Sequence, residues 1–171
     1  MSARKLPFVV QPRSLSVEKT IGNEESGQIK ILAKGYVSVG EKAMVQQSTQ
    51  DFTASMSLVR LLEEIAATAN KTTQQVLTDL DKPKKPKYLE PWEQAIVATL
   101  SAVSTENVKR EMIQATAILI SRVDPEWTAE DTMKLHPALV SQLSDFYNDE
   151  DLGVNLELNE EAENTGAEGK A

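Results

Sequence analysis

Cysteine is absent from the 171-residue chain, which removes disulfides, zinc–thiolate sites and thiol nucleophiles together and makes an intracellular compartment the simplest expectation. Histidine occurs once, as His136, immediately before Pro137. A lone imidazole at an expected helix start reads as a capping or surface residue, because a catalytic base needs a nucleophile or carboxylate beside it and the sequence points to none. No GxxxxGK[ST] or GxGxxG phosphate loop, GxSxG elbow or HExxH zinc motif occurs. The acidic C-terminal stretch lacks the D-x-D-x-D-G-x5-E spacing of a calcium loop. No apolar run approaches the ~20 residues needed to span a bilayer. The apolar group at 6–10 is short and interrupted by Pro7, so it does not serve as a signal-peptide core. These absences lead to the expectation of a soluble, cytoplasmic, non-enzymatic protein with no cofactor and no metal.

A basic face is missing too. The net charge is −8, and its location matters more than its size. Asp149, Glu150, Asp151, Glu157, Glu160, Glu161, Glu163 and Glu168 stand against the single Lys170, so −7 of the −8 lies at or beyond residue 149. The rest of the chain is close to neutral and offers no broad surface for a nucleic-acid backbone. With few apolar groups and repeated like charges, 149–171 is expected to be a disordered acidic tail, with the alternating VNLEL at 154–158 as a candidate strand on a partner.

The composition, 40% hydrophobic and 26% charged, is that of an ordinary globular protein with one core. Alternation in SLSVEKTI (14–21) and QIKILA (28–33) around the turn-rich GNEESG predicts a β-hairpin. Leu15, Val17, Ile21, Ile29, Ile31 and Ala33 are expected on one face, with Glu18, Lys19 and Lys30 toward water. Ser38 followed by Glu41 has capping-box spacing and places a helix start near Val39, with a break expected in the polar stretch 46–50. Thr72 with Gln75 marks a short helix over 73–80, presenting Val76, Leu77 and Leu80. Pro83 and Pro86 make 81–90 an extended linker, and its four lysines (Lys82, Lys84, Lys85, Lys87) read as a solvated loop rather than a nucleic-acid patch. Pro91 suits a helix start. The segment 92–103 is expected to bury Trp92, Ile96, Val97 and Leu100, with a tight turn at Ser104, Thr105 and Asn107 before the next helix.

That next helix, within 106–127, organises the rest. Val108, Met112, Ala115, Ile118 or Leu119, and Arg122 recur at three- and four-residue steps, forming the face expected at the centre of the core. Thr128 and Asp131 cap a further short turn, and Pro137 opens a last helix carrying Leu139, Val140, Leu143, Phe146 and Tyr147. The fold class expected is mainly α with a small N-terminal β-hairpin (α+β). It comprises an extended or hairpin region over 1–37, a helical domain over 38–148 and the acidic tail over 149–171. Trp127 stands close enough in sequence to cover the Arg122 guanidinium; the pair is either a packed helix end or a partner-binding anchor, since tryptophan and arginine are enriched at hot spots. The candidate partner-binding residues are Arg110, Arg122, Trp127, Trp92 and Phe146. No catalytic, cofactor-binding or metal-ligating residue is assigned.

The order of GYVSVGEKAMV entering a helix, followed by ATAILISRVDPEWTAEDTMKLHPALVSQLSDFY, resembles the tail assembly chaperones of long-tailed bacteriophages. The likeness is carried by Ala115, Thr116, Ala117, Arg122, Trp127, Phe146, Asp149 and Glu150, and covers about residues 28–150. It implies a small protein of the host cytoplasm that binds and solubilises the tape-measure protein and helps recruit tail-tube subunits during virion tail assembly. Protein partners are then expected, with neither nucleic acid nor membrane among them, and homo-oligomers are compatible with that role. Two other expectations stand beside it: a structural component of a phage tail or related contractile particle, and an acidic-tailed regulatory adaptor.

Overall fold

Two short strands, β1 (Val17–Asn23) and β2 (Gly27–Ala33), pair antiparallel with Ile21 opposite Ile29, Lys19 opposite Ile31 and Val17 opposite Ala33. The computed structural model describes residues 17–152, so Leu15, most of the acidic tail and VNLEL at 154–158 lie outside the described residues. Within them the chain is helical apart from this hairpin and its connections, which bears out the α+β expectation. The helices are α1 (Val39–Thr49), α2 (Ala54–Ala69), α3 (Thr73–Leu80), α4 (Glu93–Arg122), α5 (Ala129–Met133) and α6 (Pro137–Asp151), with a 3-10 turn at Lys87–Trp92. The described residues form two compact units, one of residues 17–42 and 114–152, the other of 43–113. The division falls inside α1 and α4, and the hairpin lies in the unit that holds the C-terminal helices.

In the first unit the hairpin turn is set by Asn23, whose side-chain oxygen accepts the N–H groups of Glu25 and Ser26 at 3.0 and 2.8 Å. Gly22 and Gly27 flank it at φ +98 and +84, values that L side chains rarely adopt. A two-stranded sheet is marginal alone, and α6 covers it by packing on β1. Ile21, Ile31 and Ala33 are buried together with Leu139, Val140, Leu143, Phe146 and Tyr147 of α6 and Ala115, Ala117, Ile118 and Leu119 of α4. The expected hairpin face is present except at Val17, which is largely exposed. Lys19 corrects the expectation that it faces water: it shares the parity of Val17 and Ile21, and its Nζ lies 5.2 Å from the Phe146 ring centre.

In the second unit α2 and α4 run antiparallel. Glu106 of α4 caps the start of α2, accepting the Thr53 and Ala54 N–H groups at 2.9 Å each. Two to three turns further along, Leu62, Ile65 and Ala66 meet Ile96 in a core completed by Val76 of α3 and Leu89 of the 3-10 turn. Each fully buried Leu, Ile or Val there contributes roughly 1.5–3 kcal/mol. Asp79 holds the lysine–proline segment in place, receiving Tyr88 Oη at 2.8 Å and pairing with Lys82 at 2.5 Å and Lys71 at 3.2 Å. The expected extended linker over 81–90 therefore gives way to a 3-10 turn from Lys87, anchored by Leu89 at 2% exposure.

Three further expectations are corrected. The tight turn at Ser104–Asn107 does not occur; α4 is continuous, and Thr105 donates its hydroxyl to the Ser101 carbonyl (2.9 Å) within the helix. Val97, Leu100 and Val108 are exposed, since the covered side of this part of α4 is the one through Ile96. Asp149 to Asp151 belong to α6 and not to a disordered tail.

Candidate functional site

The densest polar arrangement in the described residues starts from a helix cap. Ser38 and Glu41 form the expected box: the Ser38 N–H donates to Glu41 Oε2 at 2.6 Å and the Glu41 N–H to Ser38 Oγ at 3.3 Å. A capping glutamate normally sits at the surface. Here Glu41 is fully buried, because Arg122 at the end of α4 comes to it.

Arg122 Nε donates to Glu41 Oε1 at 2.6 Å and Nη2 to Oε2 at 3.1 Å, a two-point contact on one carboxylate. The rest of the guanidinium is used on the end of β2 and the segment after it: Nη1 donates to the Leu32 carbonyl at 3.2 Å and Nη2 to the Tyr36 carbonyl at 3.3 Å. A second carboxylate, Glu150 in the last turn of α6, places Oε2 2.6 Å from Nη1 as an ion pair that is not aligned as a hydrogen bond. Its other oxygen accepts the Lys34 and Gly35 N–H groups at 2.9 and 3.1 Å. All three side chains are sealed from solvent. Phe146 closes the group, with its ring centre 5.4 Å from the guanidinium carbon.

The electrostatics follow from this inventory. Burial alone would raise the Glu41 carboxyl; the hydrogen bonds from Arg122, Ser121 (2.5 Å) and the Ser38 N–H outweigh it and bring the pKa to about 2. Burial likewise opposes charge on Arg122, and the carboxylates of Glu41, then Glu150, outweigh it and raise its pKa above the ordinary guanidinium value. Two carboxylates around one guanidinium leave a buried net charge of −1, stabilised by backbone and hydroxyl donors. With no exposed face, the cluster has no route to a substrate. Its chemistry is to bind the start of α1, the exit of β2, the end of α4 and the end of α6 to one point.

The sequence-derived partner-binding candidates divide between the two units. Arg122 and Phe146 are buried in the first unit, one beside the other. Trp127 does not cover Arg122 as expected; Phe146 does, while the half-buried indole N–H of Trp127 donates to Thr132 Oγ1 at 3.0 Å. In the second unit Arg110 lies over the Phe52 ring at 5.7 Å, and Trp92 packs against the core. His136 is exposed and caps α6, its Nδ1 accepting the Ala138 N–H at 3.2 Å, in accord with the structural reading of that residue. The residues that sequence reasoning missed are Glu41 and Glu150 as partners of Arg122. The Ser38–Glu41 spacing marks Glu41 as a cap, but nothing local signals its second role.

Among the described residues, no helix is long and apolar enough to cross a membrane, and no group of three or more His, Asp or Glu side chains could hold a metal ion. The second unit has an open hollow of about 210 Å³ lined by Lys85, Leu89, Glu90, Glu93 and Ile96. It also exposes apolar side chains along its helices: Met56 and Val59 on α2, and Val97, Leu100 and Val108 on α4, each between 48% and 60% exposed. No protein-family model, no curated protein and no solved structure matches this chain.

Proposed function

We propose that this protein is a tail assembly chaperone of a long-tailed bacteriophage, which binds and solubilises the tape-measure protein and helps recruit tail-tube subunits in the host cytoplasm. The observation that supports this reading is the set of exposed apolar side chains on α2 and α4 of the second unit. Val97, Leu100 and Val108 recur at helical spacing over three turns, so one side of α4 is left for another surface. An amphipathic segment of a long helical client is a natural cover for it. The stretches GYVSVGEKAMV and ATAILISRVDPEW, which carry the resemblance to such chaperones, point the same way. The role is non-enzymatic: it requires binding and release, and the buried polar cluster serves the binder's own rigidity.

Co-expression with a tape-measure protein, followed by affinity capture and light scattering, tests the proposal. The expected result is a co-purifying complex and a soluble client; a client that precipitates equally with and without the chaperone sinks it. The hairpin supports a second reading, a structural component of the tail, because neither β1 nor β2 has another strand beside it among the described residues. Stoichiometric presence of the protein in purified particles, measured by mass spectrometry, would select that reading over the first.

A further inference from the structure

The apolar face of α4 in the second unit is bounded at both ends by carboxylates. Glu93, Val97, Leu100, Ser104, Val108 and Glu111 follow one another at steps of three or four residues, so they fall in one line along the helix. That line spans five turns, about 27 Å. Val97, Leu100, Val108, Glu93 and Ser104 are exposed and Glu111 is half-buried. No described cation lies within ion-pair distance of Glu93 or Glu111. The basic residues between them do not join the line: Arg110 is engaged over the Phe52 ring, and Lys109 lies about 100° round the helix from Val108. At the Glu93 end the line meets the hollow of about 210 Å³, where the buried Leu89 and Ile96 supply apolar wall and two carboxylates, Glu90 and Glu93, stand against one ammonium, Lys85.

We propose that this face takes a basic-flanked amphipathic helix: an apolar stripe laid over Val97, Leu100 and Val108, with a lysine or arginine at each end, about five turns apart, reaching Glu93 and Glu111. The inference rests on the chaperone reading for the existence of a helical client and adds the chemistry of the segment that docks. A second copy of this chain does not fit the face. Packed antiparallel, its Glu111 meets Glu93 and its Glu93 meets Glu111; packed parallel, each glutamate meets its own counterpart. Both arrangements bring like charges together beside an apolar seam, where water screens them less than on an open surface. A partner with cations at those two points converts both clashes into ion pairs. At the Glu93 end the aliphatic stem of a lysine or arginine lies along Leu89 and Ile96 while its charged head stays with the carboxylates. The apolar stripe supplies the affinity, and the two end charges select the partner.

Two synthetic helical peptides with the same leucine stripe test this, one carrying lysine and the other glutamate at the two positions that match Glu93 and Glu111. Each is titrated into the full-length protein by calorimetry at about 0.15 M salt, where charges more than about 8 Å apart are largely screened and the acid-rich C-terminal sequence attracts neither peptide selectively. The lysine peptide is expected to bind about tenfold tighter than the glutamate peptide. Glu93→Gln with Glu111→Gln should bring the two within about twofold of each other, and Glu93→Lys with Glu111→Lys should reverse their order. Equal binding of both peptides to the unaltered protein, binding of neither, or an order that survives the charge reversal overturns the proposal. So does a dimer in sedimentation that Leu100→Glu disperses, because it seats a second copy on this face. A tape-measure protein captured on co-expression, with no lysine preference among the peptides, leaves the chaperone reading standing and removes this one; a lysine preference that reverses with the glutamates, beside a tape-measure protein that stays insoluble, does the opposite.

Discussion

Glu150 Oε2 stands 2.6 Å from Arg122 Nη1, and neither side chain retains accessible surface. The two residues end two different helices, α6 and α4, so a single ion pair fixes where both stop relative to the strand exit at Lys34 and Gly35. Glu41 adds the start of a third helix to the same point. A salt bridge at this depth is weak evidence for stability, but it is a strong constraint on arrangement, because every alternative packing strands a charge.

Breaking the group from its centre should therefore be severe. Arg122→Met leaves Glu41 and Glu150 buried and mutually repelling, and is expected to cost about 3–5 kcal/mol. The combined replacement Glu41→Gln, Arg122→Met and Glu150→Gln removes every charge at once, keeps an acceptor for the Ser38, Lys34 and Gly35 N–H groups, and should recover part of that loss. Urea unfolding of the two variants checks it. If the triple variant is as unstable as the single one, the loss arises from packing and not from stranded charge.

Acid should undo the same group from another side. Glu41 titrates at about 2 in the folded protein against an ordinary 4.5. Its pKa is depressed on folding, so its contribution is complete above about 4.5 and is lost as pH falls toward 2. The unfolded chain takes up a proton that the native state does not, and the contribution is about 3 kcal/mol at neutral pH. Asp131, held at about 2 by the Thr128 hydroxyl and Lys134, and Asp79, depressed by Lys82 and Tyr88, shift stability in the same direction. Unfolding free energies measured from pH 7 to pH 3 should fall steadily below pH 5, and Glu41→Gln should flatten that fall. A wild-type profile level from pH 5 to pH 3 would contradict the pairing.

Two glycines give a contrast within one protein. A Cβ on Gly22 would lie 2.0 Å from the Gly27 carbonyl oxygen and 2.8 Å from Leu139 Cδ1, at φ +98. Gly22→Ala is expected to cost on the order of 3 kcal/mol from backbone strain and overpacking together. Gly40, in the first turn of α1, has nothing within 4 Å of its Cβ position. Gly40→Ala should stabilise by roughly 0.5–1 kcal/mol through helix propensity and a less flexible unfolded chain. Thermal or urea melts of both variants read the opposite signs directly.

What the sequence made legible is what short-range chemistry decides. The capping boxes at Ser38–Glu41, Thr72–Gln75 and Thr128–Asp131 lie where the three-residue spacing places them, as does the hairpin turn around Asn23. Expectations erred where one residue type serves two structures. Ser104 and Thr105 fit a turn as well as a helix, and Thr105 proves to bond back along α4. Lys19 follows its parity on the strand and not its charge. The buried ion cluster was not legible at all. Glu41 and Arg122 are 81 residues apart, and Arg122 at a helix end is equally well explained by the helix dipole. Only tertiary packing distinguishes a dipole partner from the centre of a buried network.

The exposed side of α4 offers the clearest separation between folding and function. Val97, Leu100 and Val108 are 59%, 48% and 56% exposed, so replacing each with serine removes little buried surface. Stability should change by less than about 0.5 kcal/mol per site, which is usual for surface positions away from caps and networks. Ile65→Ala, in the core of the same unit at 0% exposure, should instead cost about 2–5 kcal/mol. If the α4 face receives a helical client, the triple serine variant keeps its melting behaviour and loses most of its capture of the tape-measure protein in co-expression. A triple serine variant that captures the client at wild-type yield would move the contact off this face, while a large drop in stability would show that these side chains serve the fold itself.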